Sequence, residues 1–179
     1  MKEMSPQENL HRVLTEFENE LHILQSQQIL TKLDAQKLRA KAEVSKNAML
    51  TAKEETSFND RAKEKLINAL IRDFEKSILR TVDEAVSRKG DKALLNHRLN
   101  RVDRKIAIKM DDANVSHSEL QKLKVGMELL RVYIFRSLPE KSSSFWGSPK
   151  LDTSILVTNY EKTLNEYIQN NFTSVKLFG

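Results

Sequence analysis

At 179 residues, with 30 Lys+Arg against 25 Asp+Glu and a net charge of +5, the chain has the length of one domain or of two small ones. Charged residues make up 31 % and apolar residues 39 %, and cysteine is absent. These figures exclude a collagen-like repeat and a disulfide scaffold, and with them thiolate catalysis and cysteine-based zinc or iron–sulfur sites. The first residues, MKEMSPQENLHRVL, are polar and lack the apolar core of a signal peptide. No run of about 18 apolar residues occurs, so no membrane span is expected. The expected location is the cytoplasm, or a host cytoplasm into which the protein is delivered.

Breakers are few. There are four Gly and three Pro, and none lies between Pro6 and Gly90. A stretch that long without punctuation, rich in Ala, Leu, Lys, Glu and Gln, favours long helices. Ser5-Pro6-Gln7-Glu8 reads as a capping box with Pro in the first turn. Leu10, Leu14, Phe17, Leu21 and Leu24 then follow at alternating spacings of four and three, the seam of a coiled-coil helix. The seam fades at Gln28. Thr31 to Asp34 offers a fresh cap and a second helix from near Asp34; one continuous helix to about residue 56 is the competing reading. The second segment carries small residues at the seam positions: Ala35, Leu38, Ala42, Ser45, Met49 and Ala52. They permit close approach but bury little apolar area.

Ser57, Asn59 and Asp60 open a third helix with Ile67, Leu70, Ile71, Phe74, Ile78 and Val82 on one stripe. Arg88-Lys89-Gly90 stops it. Asp91 caps a fourth, with Leu95, Leu99, Val102, Ile106 and Met110 inward, and Asp111 to Asn114 breaks it. Ser116 to Glu119 is a second capping box. The fifth helix carries Leu120, Leu123, Met127, Leu130, Ile134 and Leu138, and adds Val125, Leu129, Val132, Tyr133 and Phe135 off that stripe. A helix apolar nearly all round is usually buried, so the fifth is expected at the centre of the bundle. Pro139 stops it. After a Ser-rich loop, Asp152 or Thr153 caps a last helix with Leu156, Tyr160, Leu164, Tyr167, Ile168 and Phe172. Tyr160 and Tyr167 are expected at the edge of the core. No alternating strand pattern and no solenoid repeat is present.

Chemistry is sparsely signalled. Of the four histidines, His11 and His22 share a flank of the first helix but stand about 16 Å apart along it, too far to chelate together. Glu18 and His22 are four apart, yet neither a Glu-x-x-His pair nor His-Glu-x-x-His occurs. The simpler reading is a solvated helix flank, so no metal and no cofactor are expected. The phosphate-binding glycine motifs and the Gly-x-Ser-x-Gly nucleophile elbow are missing. An enzyme would have to assemble its site without a linear motif.

Charge is more informative. Residues 88–109 hold eight basic and two acidic side chains. Arg98, Arg101, Lys105 and Lys109 fall within about 80° of helical arc beside the apolar stripe of the fourth helix. The functional reading is an anion-binding surface for an acidic protein, anionic lipid or nucleic acid. The plainer one is side chains that snorkel along the core edge and pair with acidic neighbours such as Glu16 and Glu20. Nucleic acid is the weaker partner, because no aromatics interleave with the basic residues. Phe145 and Trp146, in the Ser-rich loop, form a second candidate contact. The plainer reading there is a Trp that plugs the bundle end.

The sequence therefore predicts an all-α fold: one elongated antiparallel bundle of five or six helices, the first ones long. Within it, a long-helix part spans about 5–89 and later helices about 91–172. The expected function is a monomeric, non-enzymatic protein–protein interaction module, such as an adaptor, a regulator or a secreted bacterial effector domain. The alternatives are a binder of anionic membrane or nucleic acid through the fourth helix, and an enzyme with an unsignalled site.

Overall fold

The computed structural model describes residues 4–54, 60–138 and 152–172. Regular structure among them is α-helical throughout: α1 Pro6–Ser26, α2 Lys32–Glu54, α3 Asp60–Ser87, α4 Asp91–Asp112, α5 His117–Ser137 and α6 Thr153–Asn171. The all-α, bundle-like class expected from the apolar spacing is the one observed. Packing separates two compact units, Met1–Gly90 and Asp91–Gly179. The boundary residue Gly90 has φ +108°, a conformation that a side chain would strain.

In the N-terminal unit, α1 and α2 are separate helices. Gln28 takes φ +57°. The amide of Ile29 donates to the Leu24 carbonyl at 2.9 Å, and that of Gln28 to the Gln25 carbonyl at 3.0 Å. This is the Schellman stop, with glutamine where glycine is usual. Thr31 then restarts the chain. Its hydroxyl and amide donate to Asp34 Oδ2 at 2.7 and 3.0 Å, and the Asp34 amide donates back to Thr31 Oγ1 at 3.1 Å. Helix α3 packs on both α1 and α2. The core is Val13, Phe17, Leu21 and Leu24 of α1, Ala35, Leu38, Ala42 and Met49 of α2, and Ile71, Phe74, Ile78, Val82 and Val86 of α3. Arg12 bridges from α1 to Glu75 at 3.3 Å, and Arg39 binds Glu18 at 2.9 Å.

In the C-terminal unit all five inward residues expected of α4 are buried: Leu95, Leu99, Val102, Ile106 and Met110. They meet Tyr160, Leu164, Ile168 and Phe172 of α6 and Leu123 and Ile134 of α5. The helix that packs on both others is α6. The expectation of a central fifth helix is therefore corrected. Only Leu123 and Ile134 of α5 are buried, while Val125, Leu129, Val132 and Tyr133 are exposed. In a three-helix packing each helix meets its neighbours on one side, so among the described residues neither α4 nor α6 covers the second apolar face of α5. A second correction is Tyr160, which is fully buried and not at the core edge; Tyr167 does sit at the edge, with its ring 6.0 Å from that of Phe172.

Candidate functional site

Capping sets the position of α5. The Ser116 hydroxyl and amide donate to Glu119 Oε2 at 2.8 and 3.1 Å, and the Glu119 amide donates to Ser116 Oγ at 3.3 Å. The preceding turn closes through Asn114 at φ +51°. Its inner side is then tied down by a polar cluster. Arg131 donates to Asn96 Oδ1 at 3.1 Å, Asn100 Oδ1 at 2.7 Å and Asp103 Oδ2 at 2.5 Å. The Tyr160 hydroxyl donates to the other Asp103 oxygen at 2.6 Å, and the Arg131 guanidinium lies 6.0 Å from the Tyr160 ring centre. Burial raises the Tyr160 pKa well above its ordinary value, and the hydrogen bond to the Asp103 carboxylate adds to the shift. The phenol stays protonated through neutral pH. The cluster thus ties three helices together.

Sequence reasoning passed over this cluster. Its signal is Asn96, Asn100 and Asp103 at spacings of four and three, a polar stripe on α4 that demands a donor opposite. Beside it, α4 and α5 leave a cavity of about 270 Å³ lined by Ile106, Met110, Leu120, Leu123 and Met127, with Lys124 and Glu128 among the charged groups.

The basic stripe of α4 divides. Arg98 is half-buried and donates to Thr153 Oγ1 at 2.6 Å and Ser154 Oγ at 3.3 Å, anchoring the start of α6. Arg101 is half-buried with Nη2 3.1 Å from Nε2 of the buried His97. Lys105 and Lys109 are exposed, as is Ile108 between them. Of the acidic partners considered for the stripe, Glu16 sits 3.0 Å from Arg12 on its own helix. Phe145 and Trp146 lie outside the described residues. Glu18, the carboxylate four residues from His22, is engaged by Arg39. Among the described residues no three His, Asp or Glu side chains gather as a metal site would need, and no helix is long and apolar enough to cross a membrane.

The surface that stands out is the outer side of α5. Val125 is 54 % exposed, Leu129 65 %, Val132 46 % and Tyr133 71 %. At 100° per residue the four span about 100° of arc, opposite the buried Leu123 and Ile134. Lys122 and Arg136 fall inside the same arc, one toward each end, and both are exposed. No family model, curated protein or solved structure matches the chain.

Proposed function

We propose that the chain is a non-enzymatic protein–protein interaction module that binds through the outer face of α5. The observation that supports this is the set of four large apolar side chains exposed on one arc of that helix. Large apolar side chains grouped on an exposed face often coincide with interaction sites. An adaptor, a regulator or an effector domain delivered into a host cell would each use a helix face in this way. The test is capture from a cell lysate with wild type and with the double variant Val125→Ser, Leu129→Ser. Capture of a defined protein by wild type, lost in the variant at unchanged helicity, supports the reading; capture indifferent to the substitutions overturns it.

A second reading is favoured by the joint exposure of Lys105, Ile108 and Lys109 on α4. These would bring two cations and an apolar side chain to an anionic surface. Binding to phosphatidylserine vesicles that weakens with salt and is lost in Lys105→Glu, Lys109→Glu would support it. Equal binding by the variant would remove it.

A further inference from the structure

We infer that the outer face of α5 receives one amphipathic α-helix of a partner protein, with carboxylates at both ends of that helix's apolar stripe. The inference rests on α5 being the interaction surface and adds the chemistry of what it binds.

Three observations carry it. The first is Gly126, in the interior of α5 and one turn from Leu129. A Cβ added there meets nothing within 4 Å. A glycine in this place weakens the helix relative to alanine. Among the described residues no close contact calls for its missing side chain, and its φ is not positive. A bare backbone beside the ridge of Val125, Leu129 and Tyr133 makes a notch, the feature that lets a second helix approach closely.

The second is charge. Within the arc of the apolar stripe the charged residues are Lys122 and Arg136, both cationic. They are fourteen residues apart, about 21 Å along the axis. A helix laid along the stripe meets a cation near each end, and carboxylates at matching positions complement both.

The third argues against a second copy. If two α5 helices pair antiparallel about Leu129, Lys122 meets Arg136 of the other copy. If they pair parallel, Lys122 meets Lys122 and Arg136 meets Arg136. Both orientations set like charges against each other at both ends. A lipid surface would suit the cations but makes no use of the notch.

The experiment uses the full chain and two synthetic helical peptides with one shared Leu/Ala face. One carries Glu at both ends of the stripe, the other Lys at the same positions. Binding is followed by fluorescence anisotropy at two ionic strengths, and the footprint by amide hydrogen exchange. The expected result is a footprint on α5, salt-weakened binding of the Glu peptide, and binding of the Lys peptide at least about tenfold weaker. Lys122→Glu with Arg136→Glu should reverse the preference. Gly126→Leu should weaken the Glu peptide by at least about tenfold while leaving the thermal melt unchanged or raised, since leucine is the better helix former.

No binding of the Glu peptide, equal binding of both peptides, a footprint elsewhere, or indifference to Gly126→Leu each overturns the inference. So does capture of phosphatidylserine vesicles through Leu129, or a dimer in sedimentation that Leu129→Ser dissolves. If these tests fail while lysate capture still depends on Val125 and Leu129, the partner's chemistry falls and the interaction surface stands. If capture is indifferent as well, both fall.

Discussion

The two units are built from three helices each, and they differ in how completely the apolar residues are used. In Met1–Gly90 every helix has one apolar stripe, and each stripe finds the others: α1 through Phe17 and Leu21, α2 through Ala35 and Ala42, α3 through Phe74 and Ile78. In Asp91–Gly179, α4 and α6 behave the same way, but α5 has two stripes and buries one. Cross-links differ too. The first unit joins its helices with half-exposed ion pairs, Arg12–Glu75 and Arg39–Glu18. The second centres its polar contacts on Arg131, Asp103 and Tyr160, partly buried between its helices. An apolar stripe is thus a reliable sign of a core only when the helix has a single one. A second stripe is surplus to a three-helix unit, and it is where function is sought.

The sharpest test of the shared part of this comparison is core truncation. Leu21→Ala in the first unit and Leu99→Ala in the second each remove a fully buried side chain. Each should cost about 2–5 kcal/mol in chemical denaturation. A cost under about 1 kcal/mol at either site would mean that unit's core is loosely packed.

The next effect belongs to the polar cluster. Arg131→Met should cost about 1–3 kcal/mol, because Asp103, Asn96 and Asn100 lose their donor in a half-buried setting. Tyr160 adds a pH dependence. Its folded-state pKa is raised, so stability is complete below the ordinary tyrosine value of about 10. Above that pH the unfolded chain ionises first, and stability falls until the folded phenol also titrates. Tyr160→Phe should flatten this alkaline loss relative to wild type, read by urea denaturation across the alkaline range. An unchanged slope would show that the phenol is not held protonated by the fold.

Much of this architecture was legible in the residues. The stripes of α3 and α4 were readable because Ile, Leu and Phe recur on one face with polar residues elsewhere. The capping boxes at Ser5, Thr31 and Ser116 were readable because hydroxyl and carboxylate stand three apart. The stop after α1 was harder: Gln28 takes the left-handed role that glycine usually marks, so the helix break carried no breaker. The place of α5 was misread for a different reason. Periodicity reports how many faces are apolar, not how many neighbours exist to cover them. The Arg131 cluster was missed because asparagine and aspartate on a helix read as solvent-facing until a partner helix brings them a donor. Arg98 and Arg101 were legible as a stripe, but their hydrogen bonds to Thr153 and His97 depend on tertiary placement.

Caps come next in size. Ser116→Ala should cost about 1 kcal/mol and loosen the first turn of α5. Ser5→Ala should do the same to α1. At α1 and α2 the hydrogen bonds from Ser5 and Thr31 lower the pKa values of Glu8 and Asp34. Their contribution is present above the ordinary carboxylate range and is lost as pH falls through the lowered values. Protection of the first-turn amides of α1 and α2, taken relative to the intrinsic exchange rate at each pH, should therefore fall in acid. Unchanged exchange after cap removal would show that packing alone sets those helix ends.

The smallest expected effect is the most telling for the comparison. Leu129 is a large apolar residue in the same helix as Leu123 and Ile134, six residues from one and five from the other, yet it is mostly exposed. If α5 has one structural face and one surplus face, Leu129→Ala should change stability by less than about 0.5 kcal/mol, the usual range for a surface substitution. Leu123→Ala, on the opposite face of the same helix, should cost about 2–5 kcal/mol. Both are read from urea midpoints at unchanged slope, so that a shift reports the native state and not the denatured one. Equal costs at the two positions would erase the distinction between the faces: Leu129 would be covered in solution, and α5 would be the surrounded helix that its composition suggests. A large cost at Leu123 with none at Leu129 leaves the outer face free, and its four apolar side chains then have no structural task to account for them.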